Sequence, residues 1–243
     1  RGAEPFVRPG ADDETAPALA DDATTLGGTA FGNAVHEVLE SADAAAWRLA
    51  LPPDLFGEET CPPSQRATVE RALRHQGIAA TPAHVAQTSR LVARALNAPL
   101  PGGVRLCALT PAQCVRELPF HFRLRDARLD ALSRLLTALG YPWAQRHLAG
   151  GLDGFMHGYI DLVYRDARGR HHVLDYKTNR LPAYDAASLR RAVVQRDYDL
   201  QYLIYLVALR RWLRLRRGAA YDERRDLGGA VYLFMRGIDL SDI

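Results

Sequence analysis

Between residues 27 and 47 apolar side chains recur at helical spacing, with Phe31, Val35, Val38 and Leu39 on one face. The same period predicts helices over residues 64–75 and 82–96, the second opened by Pro82 at a position suited to a first turn. Prolines and a glycine (Pro52, Pro53, Gly57, Pro62, Pro63) mark residues 52–63 as loop, and Pro99, Pro101, Gly102 and Gly103 break the chain again. At 115–124 the period changes to alternation, with Leu118, Phe120, Phe122 and Leu124 on one side of an extended segment that Pro119 weakens. A helix over 128–139, closed by Gly140, comes next. Strand-like runs at 158–166 and 170–178, a long helix over 187–217 and a last strand at 229–236 complete the series. This order predicts an α/β fold, a central mixed sheet flanked by helices with a helical N-terminal part.

Composition changes that picture only at its edges. With 243 residues and 48% hydrophobic content the chain can bury a sizeable core. It has no apolar run of about 18 residues, so no membrane-spanning helix is expected, and its start lacks a charged-then-apolar leader. Residues 1–25, rich in Ala, Pro, Asp and Glu without either period, read as a linker from an upstream region, which leaves 26–243 as the folded domain. Three cysteines, Cys61, Cys107 and Cys114, with no C-x-x-C spacing, argue against a disulfide framework or a structural zinc site. A reducing, cytoplasmic setting fits. A net charge of +3 permits nucleic-acid binding without arguing for it.

The chemistry begins at Lys177, the one lysine against thirty arginines. A position that keeps an ammonium where arginine is used everywhere else suggests that a planar guanidinium would not serve. Lys177 lies two residues after Asp175 in an apolar run, and the loop Ala167-Arg168-Gly169 before that run suits a three-residue hairpin with glycine in its left-handed position. That turn sets Asp166 against Arg170 and, counting outward, Asp161 against Asp175. Alternation then gathers Asp161, Asp175 and Lys177 on one face. Two carboxylates so placed repel unless a cation lies between them, and hard oxygen donors that leave room for water and phosphate suit Mg²⁺ or Mn²⁺. The parts describe metal-assisted phosphodiester hydrolysis. A buried ion pair with no further role is the plain alternative from the hairpin alone.

Read as G-Y-I-D followed by L-D-Y-K-T-N, residues 158–179 resemble the core of the PD-(D/E)xK nucleases, a restriction-endonuclease-like fold, and most closely the nuclease domain of RecB-type helicase-nucleases. The likeness extends to GNAVHEVLE at 32–40, RELPF at 116–120, YDLQYLIY at 198–205 and GGAVYLFMRGID at 228–239. Ile160 stands where the family name has proline. The resemblance implies that His36, Asp161, Asp175 and the Tyr176 carbonyl ligate the metal, with Lys177 as the catalytic lysine. It places Glu117 in the site as a carboxylate for a second metal or for orienting the first, and Gln201 and Tyr205 against DNA phosphate. It further implies a Mg²⁺-dependent DNase of the exodeoxyribonuclease V type, acting on single- and double-stranded DNA in double-strand break processing and recombinational repair. Its partners would be the helicase domain of the same full-length chain and RecC- and RecD-like subunits. The cysteines cannot supply the four-cysteine iron–sulfur cluster of AddAB- and Cas4-type relatives, so none is expected.

Outside the hairpin the residues alone say less. A lone helical histidine is more often packed or solvated than a ligand, and alternation sets Glu117 opposite Leu118 and Phe120. Tyr198, Gln201 and Tyr205 share one stripe of the 187–217 helix, expected to line a cleft while Leu200, Leu203, Ile204 and Val207 face the core. Arg210, Arg211, Arg214, Arg216 and Arg217 complement that helix's C-terminal dipole or offer a DNA contact. Two rivals remain: an idle DNA-binding or subunit-docking module of the same fold, and a Mg²⁺ phosphohydrolase acting on nucleotides.

Overall fold

The computed structural model describes residues 26–48, 61–141 and 150–239. Residues 1–25 and most of the 52–63 loop therefore lie outside the described residues. Helix α1 (Gly28–Ser41) forms where the first apolar stripe lies, and Phe31, Val35 and Val38 are fully buried against α2 (Arg66–His75) and α3 (Pro82–Asn97). Each such side chain contributes about 1.5–3 kcal/mol by leaving water. The Thr81 hydroxyl accepts the His84 N–H ahead of Pro82, so α3 starts where its proline indicated. Helix α1 stops at Ser41 rather than 47: Ala42 is extended, and the Asp43 carboxylate takes the Ala45 N–H to open a separate 3-10 turn at Ala44–Trp47.

The sheet is built from β1 (Cys114–Arg128), β2 (Gly151–Arg165), β3 (His171–Lys177) and β4 (Leu227–Phe234), in that spatial order. Helix α4 (Leu129–Ala138) joins the first pair, and α5 (Ala186–Gln195), α6 (Tyr198–Arg217) and the short α7 (Glu223–Asp226) lie between β3 and β4. Pairing is antiparallel up to β3 and parallel between β3 and β4, so the sheet is mixed as expected. Pro119 is accommodated because β1 is an edge strand. The β2–β3 turn closes as its loop predicts: the Asp166 N–H donates to the Arg170 carbonyl at 2.9 Å, Gly169 takes a φ of 84°, and Leu162 pairs Leu174.

Three features depart from the sequence pattern. The predicted helix over 187–217 is two helices, broken where Asp197 turns left-handed at φ 54° with no glycine or proline to announce it. The buried face of α6 is formed by Tyr198, Tyr205, Ala208, Leu209 and Leu213, whereas Val207, assigned to the core, is 45% exposed. Tyr198, Gln201 and Tyr205 line the cleft as expected, with Tyr198 and Tyr205 also buried. Strands β1 and β2 also run longer than predicted. Their ladder omits Glu117, at φ 47°, between Arg116↔Leu162 and Leu118↔Ile160 without a change of offset, and the register shifts only farther out, between Leu124 and Ala127. On the hairpin side of Glu117 Leu162 and Tyr164 pack among α1–α3; beyond it Leu118, Phe122 and Ile160 pack against α6. A left-handed residue in a strand re-aims the chain, and here both strands exchange faces beside Asp161.

The arginines at the end of α6 are largely engaged within the chain. Arg210 pairs with Glu223 at 2.7 Å and Arg217 with buried Asp226 at 2.9 Å, while Arg211 and Arg216 lie over the Phe122 and Trp212 rings. Among the described residues no helix is long and apolar enough to cross a membrane.

At the hairpin turn the buried Asp166 carboxylate accepts from the Arg168 and Arg170 N–H groups, Arg170 Nε and His172 Nε2, and the Tyr164 ring stacks on His172. Burial pushes this carboxyl up, but the His172 and backbone donors outweigh it and hold it at about 2. A carboxyl with a depressed folded pKa stabilises above its ordinary value, here 3.8, and loses that contribution as pH falls toward about 2. Asp166→Asn is therefore expected to destabilise the chain at neutral pH by about 1–3 kcal/mol and to flatten its acid limb between about pH 4 and 2. Denaturant melts across that range check this; parallel curves for both proteins would contradict it.

Candidate active site

Four elements converge at the end of the β2–β3 hairpin. The β2–β3 ladder ends at the Leu162–Leu174 pair, with Asp161 and Asp175 the next residues outward on the two strands. Asp161 Oδ2 accepts the Tyr176 N–H at 3.1 Å. From α1, one face presents Asn33, His36 and Glu40 to the cleft. His36 bridges the corner, with Nε2 3.0 Å from the Tyr176 carbonyl oxygen and Nδ1 3.3 Å from Asp161 Oδ2. The four groups assigned to the metal are thus neighbours.

Lys177 is seated on the other side of Asp175. Its ammonium, on a residue only 3% exposed, is 2.7 Å from Asp175 Oδ2 and 3.2 Å from Gln201 Oε1. The Asp175 contact is one of charge with charge, since Oδ2 makes no hydrogen bond by its angles. The Tyr198 ring lies 4.0 Å from the ammonium and the Tyr232 ring 5.4 Å. Gln201 is oriented unambiguously: Oε1 accepts from Lys177 and the Tyr232 hydroxyl, and Nε2 donates to the Tyr205 hydroxyl at 3.0 Å. Gln201 and Tyr205 therefore reach the site by holding Lys177.

Electrostatics follows from this crowding. Burial, then the Asp175 carboxylate, raises Asp161 to about 6, against the pull of His36, the Tyr176 N–H and Lys177. Burial and the Asp175 charge push the Tyr205 and Tyr232 phenols far above the ordinary range, so both remain protonated. Glu117 lines the same cleft, a space of about 910 Å³ that also exposes Phe120, His157 and Tyr159. Its left-handed backbone takes it out of the solvent-facing position that simple alternation assigns.

Tyr232 was not among the residues expected here. It pairs with Asp175 across the parallel β3–β4 ladder, a neighbour that only pairing over a long chain separation creates. No local signal in the 229–236 run distinguishes it.

The chain matches the family described as the PD-(D/E)XK nuclease superfamily over residues 14–241. It belongs to that superfamily. Among PD-(D/E)XK relatives it is similar to the RecBCD enzyme subunit RecB of Mycobacterium tuberculosis, at 35% identity over 87% of this chain and 21% of that protein. It is 37% identical to the subunit RecB of Escherichia coli over 59% of this chain and 13% of that protein. The corresponding subunit of Haemophilus influenzae is 34% identical over 56% and 12%. The chain thus spans about a fifth or less of these relatives' length.

Whether these residues suit a divalent cation is a question of donor chemistry. Among the described residues no three His, Cys, Asp or Glu side chains form a ready chelate. The donors nonetheless fit. A His36 that gives its Nε2 proton to the Tyr176 carbonyl turns an Nδ1 lone pair toward Asp161 Oδ2, an acceptor facing an acceptor that needs a proton or cation between them. Asp175 Oδ2 is buried without a hydrogen bond. Adjacent ligands about 2.1 Å from one ion are about 3 Å apart, close to the 3.3 Å between His36 Nδ1 and Asp161 Oδ2.

Proposed function

We propose that this chain is a Mg²⁺-dependent deoxyribonuclease domain of a RecB-like helicase-nuclease, with Mn²⁺ able to replace Mg²⁺. Its task would be phosphodiester hydrolysis in double-strand break processing and recombinational repair, in the cytoplasm. The observation that carries this reading is the meeting of Asp161, Asp175 and Lys177 in one open cleft, beside a His36–Asp161 contact that calls for positive charge. Relatives named as RecBCD enzyme subunits support RecC- and RecD-like partners, and a helicase region of the same full-length chain would be a further one.

Asp161, Asp175, His36 and the Tyr176 carbonyl would hold the cation. When bound, that ion supplies Lewis-acid charge at the phosphate and acidifies water at the site. Lys177, fixed by Asp175 and Gln201, directs an ammonium proton at the phosphate oxygen where negative charge develops. The water oxygen bonds to phosphorus as the bond to one sugar oxygen breaks. Tyr205 and Tyr232, kept protonated, are donors and positioning groups rather than bases. Glu117 adds a carboxylate that can orient water or take part in a second cation site. None of these groups reads a base edge, so cleavage is expected to be indifferent to sequence.

Cleavage of linear single- and double-stranded DNA is expected with Mg²⁺ and not with chelator. Asp175→Asn should lower it by about a hundredfold or more and abolish the Mn²⁺-binding heat of the parent. Cleavage that persists in chelator, or an undiminished Asp175→Asn variant, would sink the assignment. A chain that neither cuts DNA nor binds Mn²⁺ would be the idle module instead.

A further inference from the structure

Beyond Glu117 the outer halves of β1 and β2 form a two-stranded ribbon, one face of which packs on α6 through Leu118, Phe122 and Ile160. The other face is exposed. Phe155 is 64% and Tyr159 53% exposed, among the largest apolar exposures in the described residues. His121 stacks on Phe155 with centroids 4.9 Å apart and rings inclined by 27°, and on His157 at 6.4 Å. Phe155, His157 and Tyr159 alternate along β2, so their rings recur about every 6.7 Å over about 13 Å of ribbon.

Such a row is costly to leave in water, and single-stranded nucleic acid is a ligand whose repeat it suits. Bases present apolar π-faces in succession, and stacking on aromatic side chains does not depend on base identity. Two further observations favour that occupant. The row is continuous with the cleft, since Phe120, His157, Gly158 and Tyr159 line both the active-site space and the adjoining shallow groove of about 420 Å³. Exposed Arg123 and Arg125 extend the row outward, Arg123 loosely paired with Asp153 at 3.8 Å, and supply positive charge for a phosphate backbone.

We infer that the exposed face of the β1–β2 ribbon, with Phe155, His157, Tyr159 and His121, is a base-stacking platform for the unpaired DNA strand flanking the phosphate in the cleft. The inference deepens the nuclease reading and rests on it. It gives the site a preferred substrate form, an unpaired strand, which a linear duplex offers at its opened ends, because stacked base pairs do not offer free faces to the ribbon. On the opposite face of the ribbon Gly158 makes room for the Phe120 ring, from which a Cβ there would lie 2.8 Å.

Binding is measured on the 243-residue chain by fluorescence anisotropy with labelled oligothymidylate in chelator, so that cleavage plays no part. Phe155→Ala and Tyr159→Ala are each expected to weaken binding by about five- to hundredfold, with Phe155→Tyr and Tyr159→Phe close to the parent. An abasic strand of equal length should bind the parent about as weakly as the thymidylate binds the alanine variants. Both alanine sites are exposed, so unchanged melting curves accompany these losses. Thymidylate affinity unchanged by both alanines, an abasic strand bound as tightly as thymidylate, or a parent that binds no DNA would each overturn the platform. In the first case a protein partner becomes the better occupant. Because binding is read without metal, a platform that holds in a chain unable to cut DNA would refute only the nuclease reading.

Discussion

Lys177→Met is expected to reduce DNA cleavage by about a hundred- to thousandfold, the usual cost of removing one preorganised donor to a developing oxyanion. Methionine keeps most of the apolar stem but removes the ammonium that is 2.7 Å from Asp175 and 3.2 Å from Gln201. The variant has a second effect. Asp175, 4% exposed, would lose its counter-charge, and breaking such a buried pair costs about 3–5 kcal/mol. The double variant Asp175→Asn with Lys177→Met should therefore melt higher than Lys177→Met alone while remaining inactive. That separation distinguishes a catalytic group from a structural ion pair, in which the double variant would recover everything. Lys177→Arg should fail as well, because the larger guanidinium fork cannot set a single donor where the compact ammonium lies, 2.7 Å from Asp175 and 3.2 Å from Gln201. Single-turnover cleavage and thermal melting together test this, and Lys177→Arg activity within about tenfold of the parent would contradict it.

The largest loss of stability is expected away from the cleft, at Asp226. This residue is 1% exposed, and its carboxylate accepts from Arg225 Nε and Nη2, Arg217 Nη1 and the Asp222 N–H. The Arg225 hydrogen bonds, against the opposing effect of burial, hold the carboxyl well below the usual range. Asp226→Ala leaves two guanidinium groups and a backbone N–H without that acceptor, at a cost of about 3–5 kcal/mol, or a fall of about 10 °C in Tm. Strand β4 begins at the next residue and carries Tyr232 to the side of Asp175, so weaker cleavage should accompany the lower melting point. A Tm within about 2 °C of the parent would count against this account. Charge reversal at Arg217 consequently reports on folding; exposed Arg214 is the cleaner probe of any DNA contact at this helix end.

Much of the site was legible before any coordinates because it is local. Asp161, Asp175 and Lys177 lie on two strands joined by five residues, and a glycine able to take φ 84° settles the register of that turn. The helices α1 and α3 were legible for a similar reason, since apolar period and the Thr81-Pro82 cap act over a few residues. What failed was also local in cause but carried no residue signature. Asp197 ends a helical run that has unbroken helical composition, and Val207 is exposed because α6 meets the sheet through the face of Tyr205, Ala208, Leu209 and Leu213.

By itself the sequence determined the alternation that puts two carboxylates and an ammonium on one face, the caps and turns, and the amphipathic stripe of α1. Each depends on near neighbours, whose geometry the backbone period dictates. Only the tertiary structure decided that His36 touches a carbonyl 140 residues away, that Gln201 grips Lys177, and that Tyr232 stands beside Asp175. It also decided that Glu117 twists both strands so that one aromatic face lies open next to the cleft. Those relations come from packing between distant segments, where many sequences of the same local pattern would have met differently.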